Sequence, residues 1–194
     1  MKIMSARTLL VLPAAALFAG CLQAQEQPSL EESRALVQSF GAALQSELKK
    51  GLAEGGPVSA ISVCKDRAPQ IASDLSRRSG AKVRRTSLRF RNPANAPEPW
   101  EKRVLLEFER QANVAEAATA LEHFDQDADG TIRYMAAIKT APVCLACHGA
   151  PLAADLDDIL DADYPHDRAR GYALGDVRGA FSVTWPSSDD ASSR

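Results

Sequence analysis

The sequence predicts an α+β fold, with helices gathered in the N-terminal half and antiparallel strands in the C-terminal half. Three observations lead there. Apolar residues recur at helical spacing between residues 29 and 80. Short runs rich in β-branched and aromatic residues occur beyond residue 118. An Asp/Gly turn joins two of those runs, as in a hairpin.

Ser29 can cap a first helix, and Glu32 three residues on completes a capping-box pattern. Leu36, Phe40, Ala43, Leu44 and Leu48 form the apolar stripe of that helix, which runs to about Gly51. Gly55 and Gly56 end the segment, and Pro57 opens a second helix at its first turn. Ala60, Ile61, Cys64, Ala68, Ile71 and Leu75 share one face of it; Pro69 should bend or divide it, and Gly80 closes it. Residues 82–89 alternate charged and less polar side chains and read as a strand. Pro93, Pro97 and Pro99 make residues 92–99 an irregular loop. Residues 100–114 read as a helix with Val104, Leu105 and Phe108 inward. Residues 119–124 and 131–139 are the two strands of the hairpin. Residues 151–163 form a short helix, and the Gly-rich stretch 171–185 ends in a strand over 180–185.

Lys2 and Arg7 precede an apolar run, residues 9–18, which is too short to cross a bilayer, a task that takes about 20 residues. This is the pattern of an export signal over residues 1–20. Leu17-Phe18-Ala19-Gly20-Cys21 resembles a lipobox, with Phe where Leu is usual, and would make Cys21 the lipidated first residue of the mature chain. Cleavage further on, after Ala24, would instead remove Cys21. The expected organisation is then a tether over 21–28, one domain over 29–186 and a flexible tail over 187–194. The expected location is the periplasm, with attachment to the membrane by lipid alone. Lys and Arg number 23 against 25 Asp and Glu, so nothing calls for nucleic acid.

Export leads to an oxidising compartment, where four cysteines could form two disulfides. A different allocation suits them better. Cys21 is lipidated or lost. Cys144-Leu145-Ala146-Cys147-His148 is the C-x-x-C-H pattern of covalent haem attachment. Two thiols one helical turn apart can add to the two vinyl groups of one haem c, and the adjoining His148 then reaches the iron from the same side. A zinc site would need further thiols or imidazoles, and no second C-x-x-C exists. Cys64 remains. It, His123, Met135 and His166 are candidates for the second axial position, and Cys64 also reads as a small buried hydrophobe. Asp125-x-Asp127-x-Asp129-Gly130-x-Ile132 copies half of a calcium loop. Its twelfth position is Ala136 rather than Glu, so a solvated hairpin turn is the better reading.

Blocks in order along the chain resemble a bacterial family of exported mono-haem proteins, the Tll-like haem domain. They are Ala60-Ile61-Ser62-Val63-Cys64 with Ala68-Pro69 and Ile71-Ala72, and Arg84-Arg85-Thr86-Ser87-Leu88-Arg89-x-Arg91-Asn92-Pro93. Trp100-Glu101, the haem motif with Gly149, Tyr164-Pro165, Asp167, Ala169, Gly171-Tyr172, Gly175-Asp176 and Arg178-Gly179-Ala180 complete them. The resemblance implies a PAS-like sheet and a cysteine thiolate, at Cys64, as second axial ligand opposite His148. His166 is the runner-up. Arg85, Arg89 and Tyr172 are candidate haem contacts: Arg suits the propionate carboxylates, although the same arginines read equally as a charged strand edge.

The expected role is redox or gas sensing through a low-potential haem, with carbon monoxide or nitric oxide binding the ferrous form and a signalling or redox protein as partner. The alternative is a membrane-tethered electron carrier. An enzyme is not expected, since a peroxidase needs a distal acid/base residue and no distal His-Arg pair is visible.

Overall fold

The computed structural model describes residues 27–113 and 120–187. The export signal, Cys21 and most of the tether lie outside those residues, as do Val114, Thr119 and the tail beyond Ser187. Among the described residues no helix is long and apolar enough to cross a membrane.

The fold is α+β. Helix α1 (Leu30–Ser62) begins at the expected capping box, in which Ser29 Oγ accepts from the Glu32 amide at 3.1 Å and Glu32 accepts from the Ser29 amide at 2.6 Å. The expected break is a joint rather than an end. Gly55 and Gly56 leave helical geometry, Gly56 at φ +67°, and Pro57 restarts the helix immediately. A π-helical turn, Val63–Arg67, then leads into α2 (Ala68–Ser79). Proline cannot donate to a carbonyl one turn back. The wider turn, closed by the Ala68 amide on the Val63 carbonyl, lets Pro69 sit in the first turn of α2, where no such bond is needed. Cys64 lies inside this turn. Gly80, at φ +79°, closes α2.

Four strands form an antiparallel sheet in the order β1-β4-β3-β2. They are β1 (Lys82–Thr86), β2 (Glu122–Gln126), β3 (Ile132–Lys139) and β4 (Val177–Trp185). Strand β1 is shorter than the sequence suggests, because the Ser87 amide turns away to the Asn95 carbonyl. The β2–β3 turn is a polar hairpin: Asp129 accepts from the Thr131 amide and Asp127 pairs with Arg133 at 2.6 Å. Among the described residues no acidic cluster is arranged to hold a cation.

Alternation divides the sheet's two faces. Val83, Tyr134 and Val183 face α1 and α2, packing with Val37, Phe40 and Leu75. Met135, Val177 and Ala180 face α3 (Pro99–Ala112), packing with Trp100, Val104, Leu105 and Phe108. A third cluster joins Ile61 to Leu156, Leu160 and Tyr164 around α5 (Ala154–Asp163), with Cys147 packed against it.

The pairing of β3 with β4 is irregular at one end. Ile138 pairs with Gly179 but Lys139 pairs with Val177, so Arg178 is the extra residue of a β-bulge. Gly179 sits at φ +154°, and a Cβ there would overlap the Thr86 carbonyl oxygen. Only glycine admits that approach of β4 to β1.

Candidate functional site

The cysteine motif is a turn-and-a-half of helix. A 3₁₀ turn, Pro142–Cys144, passes into the short helix α4 (Leu145–His148), so Cys144, Cys147 and His148 share one compact segment. All three are half-buried, and neither thiol is in a disulfide. Burial pushes the Cys147 thiol up, with Arg91 opposing.

His148 is held by one hydrogen bond. Its Nδ1 lies 2.7 Å from the Ala169 carbonyl oxygen. A carbonyl can only accept, so Nδ1 carries the proton and Nε2 keeps its lone pair. This is the arrangement in which imidazole binds a metal. Burial, with Arg178 and Arg91 nearby, pushes the imidazole from an ordinary 6.5 down to about 2.

The Ala169 carbonyl is itself fixed by a buried ion pair. Arg91 donates from Nε to Asp167 at 3.0 Å, and from Nη2 to the Cys147 carbonyl at 2.6 Å and the Ala169 carbonyl at 3.3 Å. Asp167 also accepts from the Ala169 amide at 2.8 Å and from Arg170 at 2.9 Å. Burial alone would raise the Asp167 carboxyl, but these donors outweigh it and hold the group below its usual range. Three separated stretches of chain are thereby clamped behind the imidazole.

Both shifts give stability a defined pH dependence. Between pH about 6.5 and about 2 the unfolded chain binds a proton at His148 that the folded chain does not. Stability therefore rises with pH across that window and is lost as pH falls through it, with no further change from this group below about 2. Asp167, depressed in the fold, adds a further loss only below its unfolded value of 3.8. The urea midpoint is expected to be lower at about pH 5 than at about pH 7. Equal midpoints would mean that folding does not lower the proton affinity of His148.

Cys64 approaches the same region from the helical layer. It is close enough to Cys147, Arg85, Tyr164 and Arg178 to act on them electrostatically. With Phe40, Ala68, Ala72, Val83 and Arg85 it lines a cavity of about 250 Å³. Burial pushes the Tyr164 hydroxyl up to about 12, with Cys64 adding to the shift.

The other candidate ligands lie elsewhere. Met135 is fully buried in the cluster against α3. His123 pairs with it across β2–β3 and lines a different groove, of about 320 Å³, with Trp100 and Arg133. His166 is exposed.

Tyr172 lies edge-on to His148, ring centroids 6.2 Å apart, with the Arg89 guanidinium 3.6 Å above its ring and that of Arg178 at 5.3 Å. Arg85, Arg89 and Tyr172 are therefore all in the region of Cys64 and His148. The sequence places Arg91, Asp167 and Arg178 in the resemblance blocks but does not show that Arg91 pairs with Asp167 or that Arg178 turns toward the site. The first two are 76 positions apart, and the third is aimed by the bulge.

A model of the Tll0287-like family matches residues 22–186. Among solved structures, the crystal structure of the cyanobacterial haem protein Tll0287 matches with a TM-score of 0.63 and 27% sequence identity, over 82% of this chain and 97% of that one. No curated protein matches the chain.

Proposed function

The chain belongs to the Tll0287-like family, and on that premise we propose that it is an exported haem protein. One haem c would be attached at Cys144 and Cys147, with His148 and Cys64 as axial ligands, and it would serve redox or gas sensing. The observation that carries this is the His148 tautomer: Nδ1–H is given to Ala169, and Nε2 is free on the segment that also presents both thiols. The solved haem protein of similar fold supports the same cofactor.

The donor set suits the group. Two thiols one turn apart and a neutral imidazole come from one side, a lone thiol comes from the helical layer, and buried guanidiniums are available for carboxylates. Bound haem would supply one-electron exchange and, when ferrous, a position for carbon monoxide or nitric oxide. The chain's own residues would do the rest. Asp167 and Arg91 hold the carbonyl that orients His148. Cys64, as thiolate, would favour the oxidised state and give a low potential. Its place in a π turn puts it on a segment that can change register, so release of Cys64 with proton uptake at Sγ would move α1 against α2 and signal to a partner protein. Retention of the sulfur ligand in the ferrous protein would rule out that switch. The proposed location is the periplasm, with Cys21 lipidated as the membrane tether. Catalysis, peroxidase activity included, forms no part of this function.

The test is low-temperature electron paramagnetic resonance of the ferric holoprotein beside Cys64→Ser. A low-spin thiolate signal in the parent, lost in the variant, is the expected result. A bis-imidazole signal indifferent to the substitution would remove Cys64 from the iron and make an electron carrier the better account.

A further inference from the structure

Several arginines surround the site, and Arg84, Arg91 and Arg89 are already engaged. Arg84 donates to buried Glu101 at 3.0 Å and to two carbonyls. Arg91 is paired with Asp167 at 3.0 Å. Arg89 is stacked on Tyr172. Arg85 and Arg178 differ: among the described residues neither has a carboxylate partner. Among the described residues Arg178 donates to Ser87 Oγ at 3.2 Å and lies 5.3 Å from the Tyr172 ring centroid, and its Nε is buried without a hydrogen-bond partner. A guanidinium so placed costs stability unless an acceptor arrives.

The placement of Arg178 is built in. The β-bulge makes it the extra residue of β4, and Gly179, against the Thr86 carbonyl, permits the bulge. Arg85 comes from the neighbouring strand β1, opposite Phe181. Burial lowers the affinity of both for their proton, and Arg178 also lies in the field of Arg85. Two like charges gathered under cover, in a chain whose formal net charge is −2, call for a shared anion.

We propose that Arg85 and Arg178 together form an anion site that takes the carboxylates of the haem, which makes Arg178 a binding residue beside the cysteines and His148. This rests on the proposed haem function. The chemistry required is a pair of carboxylate or phosphate oxygens, to which a guanidinium donates two parallel hydrogen bonds. The haem propionates are the source favoured by position: His148 and Cys64 both lie within electrostatic reach of Arg178.

Resonance Raman spectra of the holoprotein test this through the propionate bending band, with the reduction potential as a second readout. In Arg85→Gln and in Arg178→Gln the band is expected to shift to lower frequency and the potential to become more negative, while exposed Arg78→Gln changes neither. Should the glutamine variants fail to fold, Arg85→Lys and Arg178→Lys keep the charge and lose the fork, and a smaller shift in the same direction is expected. A band unmoved in every folded variant overturns the assignment. So does a wild-type potential that responds to added inorganic phosphate, because the pair would then be open to solute anions. A purified wild-type chain without Soret absorption overturns the haem reading itself, and the assignment with it.

Discussion

Replacing both Cys144 and Cys147 with serine will lower the yield of folded protein at least several-fold. The third hydrophobic cluster is small, with Ile61, Leu156, Leu160 and Tyr164 as its buried members and Cys147 at its margin. Aromatic residues make up only 6% of the chain, so little else can fill a cofactor-sized space. Without the haem, half-buried Arg85 and Arg178 also keep their charges with no anion between them. A loss of about 1–2 kcal/mol already changes abundance several-fold in the cell. Soluble yield, near-ultraviolet circular dichroism and the urea midpoint, measured beside the parent, decide the matter. Parent-like values for the double variant would show that the fold stands without its cofactor.

Asp167→Ala carries the second large effect. Arg91 is 8% exposed and Asp167 2%, so removal of the carboxylate strands a buried guanidinium. The Ala169 amide loses its acceptor in the same step. Breaking one side of a buried pair costs about 3–5 kcal/mol, which for a chain of this size lowers the melting temperature by roughly 10 °C. Asp167→Asn retains an acceptor for the Ala169 amide and should lose clearly less. Both variants loosen the carbonyl that receives His148 Nδ1–H, so the imidazole also loses its fixed orientation. An Asp167→Ala melting temperature within a few degrees of the parent would show that solvent replaces the pair.

Local signals set the identity of the elements, and long-range pairing set the second layer of the site. The capping box at Ser29, the αL glycine at Gly80 and the hairpin around Gly130 depend on neighbours within a few residues and are legible in the sequence. Pro69 signalled a disruption, but the π turn ahead of it depends on packing against neighbouring elements and has no residue pattern of its own. Strand β1 stops at Thr86 because the Asn95 carbonyl takes the Ser87 amide, a contact made only once the proline loop has folded back. The haem motif and His148 were readable as a fixed spacing. Arg178 was not, since it points into the site only because β4 slips by one residue against β3. Arg91 and Asp167 stand in the blocks that carry the resemblance, but their pairing and burial are properties of the closed fold.

Strand order has a consequence for the birth of the protein. The first strand cannot pair with its neighbour β4 until nearly the whole chain has emerged, because residues 82–86 meet residues 180–184. Contacts of such sequence separation form late and slowly. The C-x-x-C-H segment, ahead of β4 in the chain, leaves any export channel before the strand that completes the sheet. On the proposed export route, its thiols would emerge while the site is still open on the β4 side. The proposed haem attachment would then have a time window, which closes when the last strand docks, and slower docking of β4 would lengthen it.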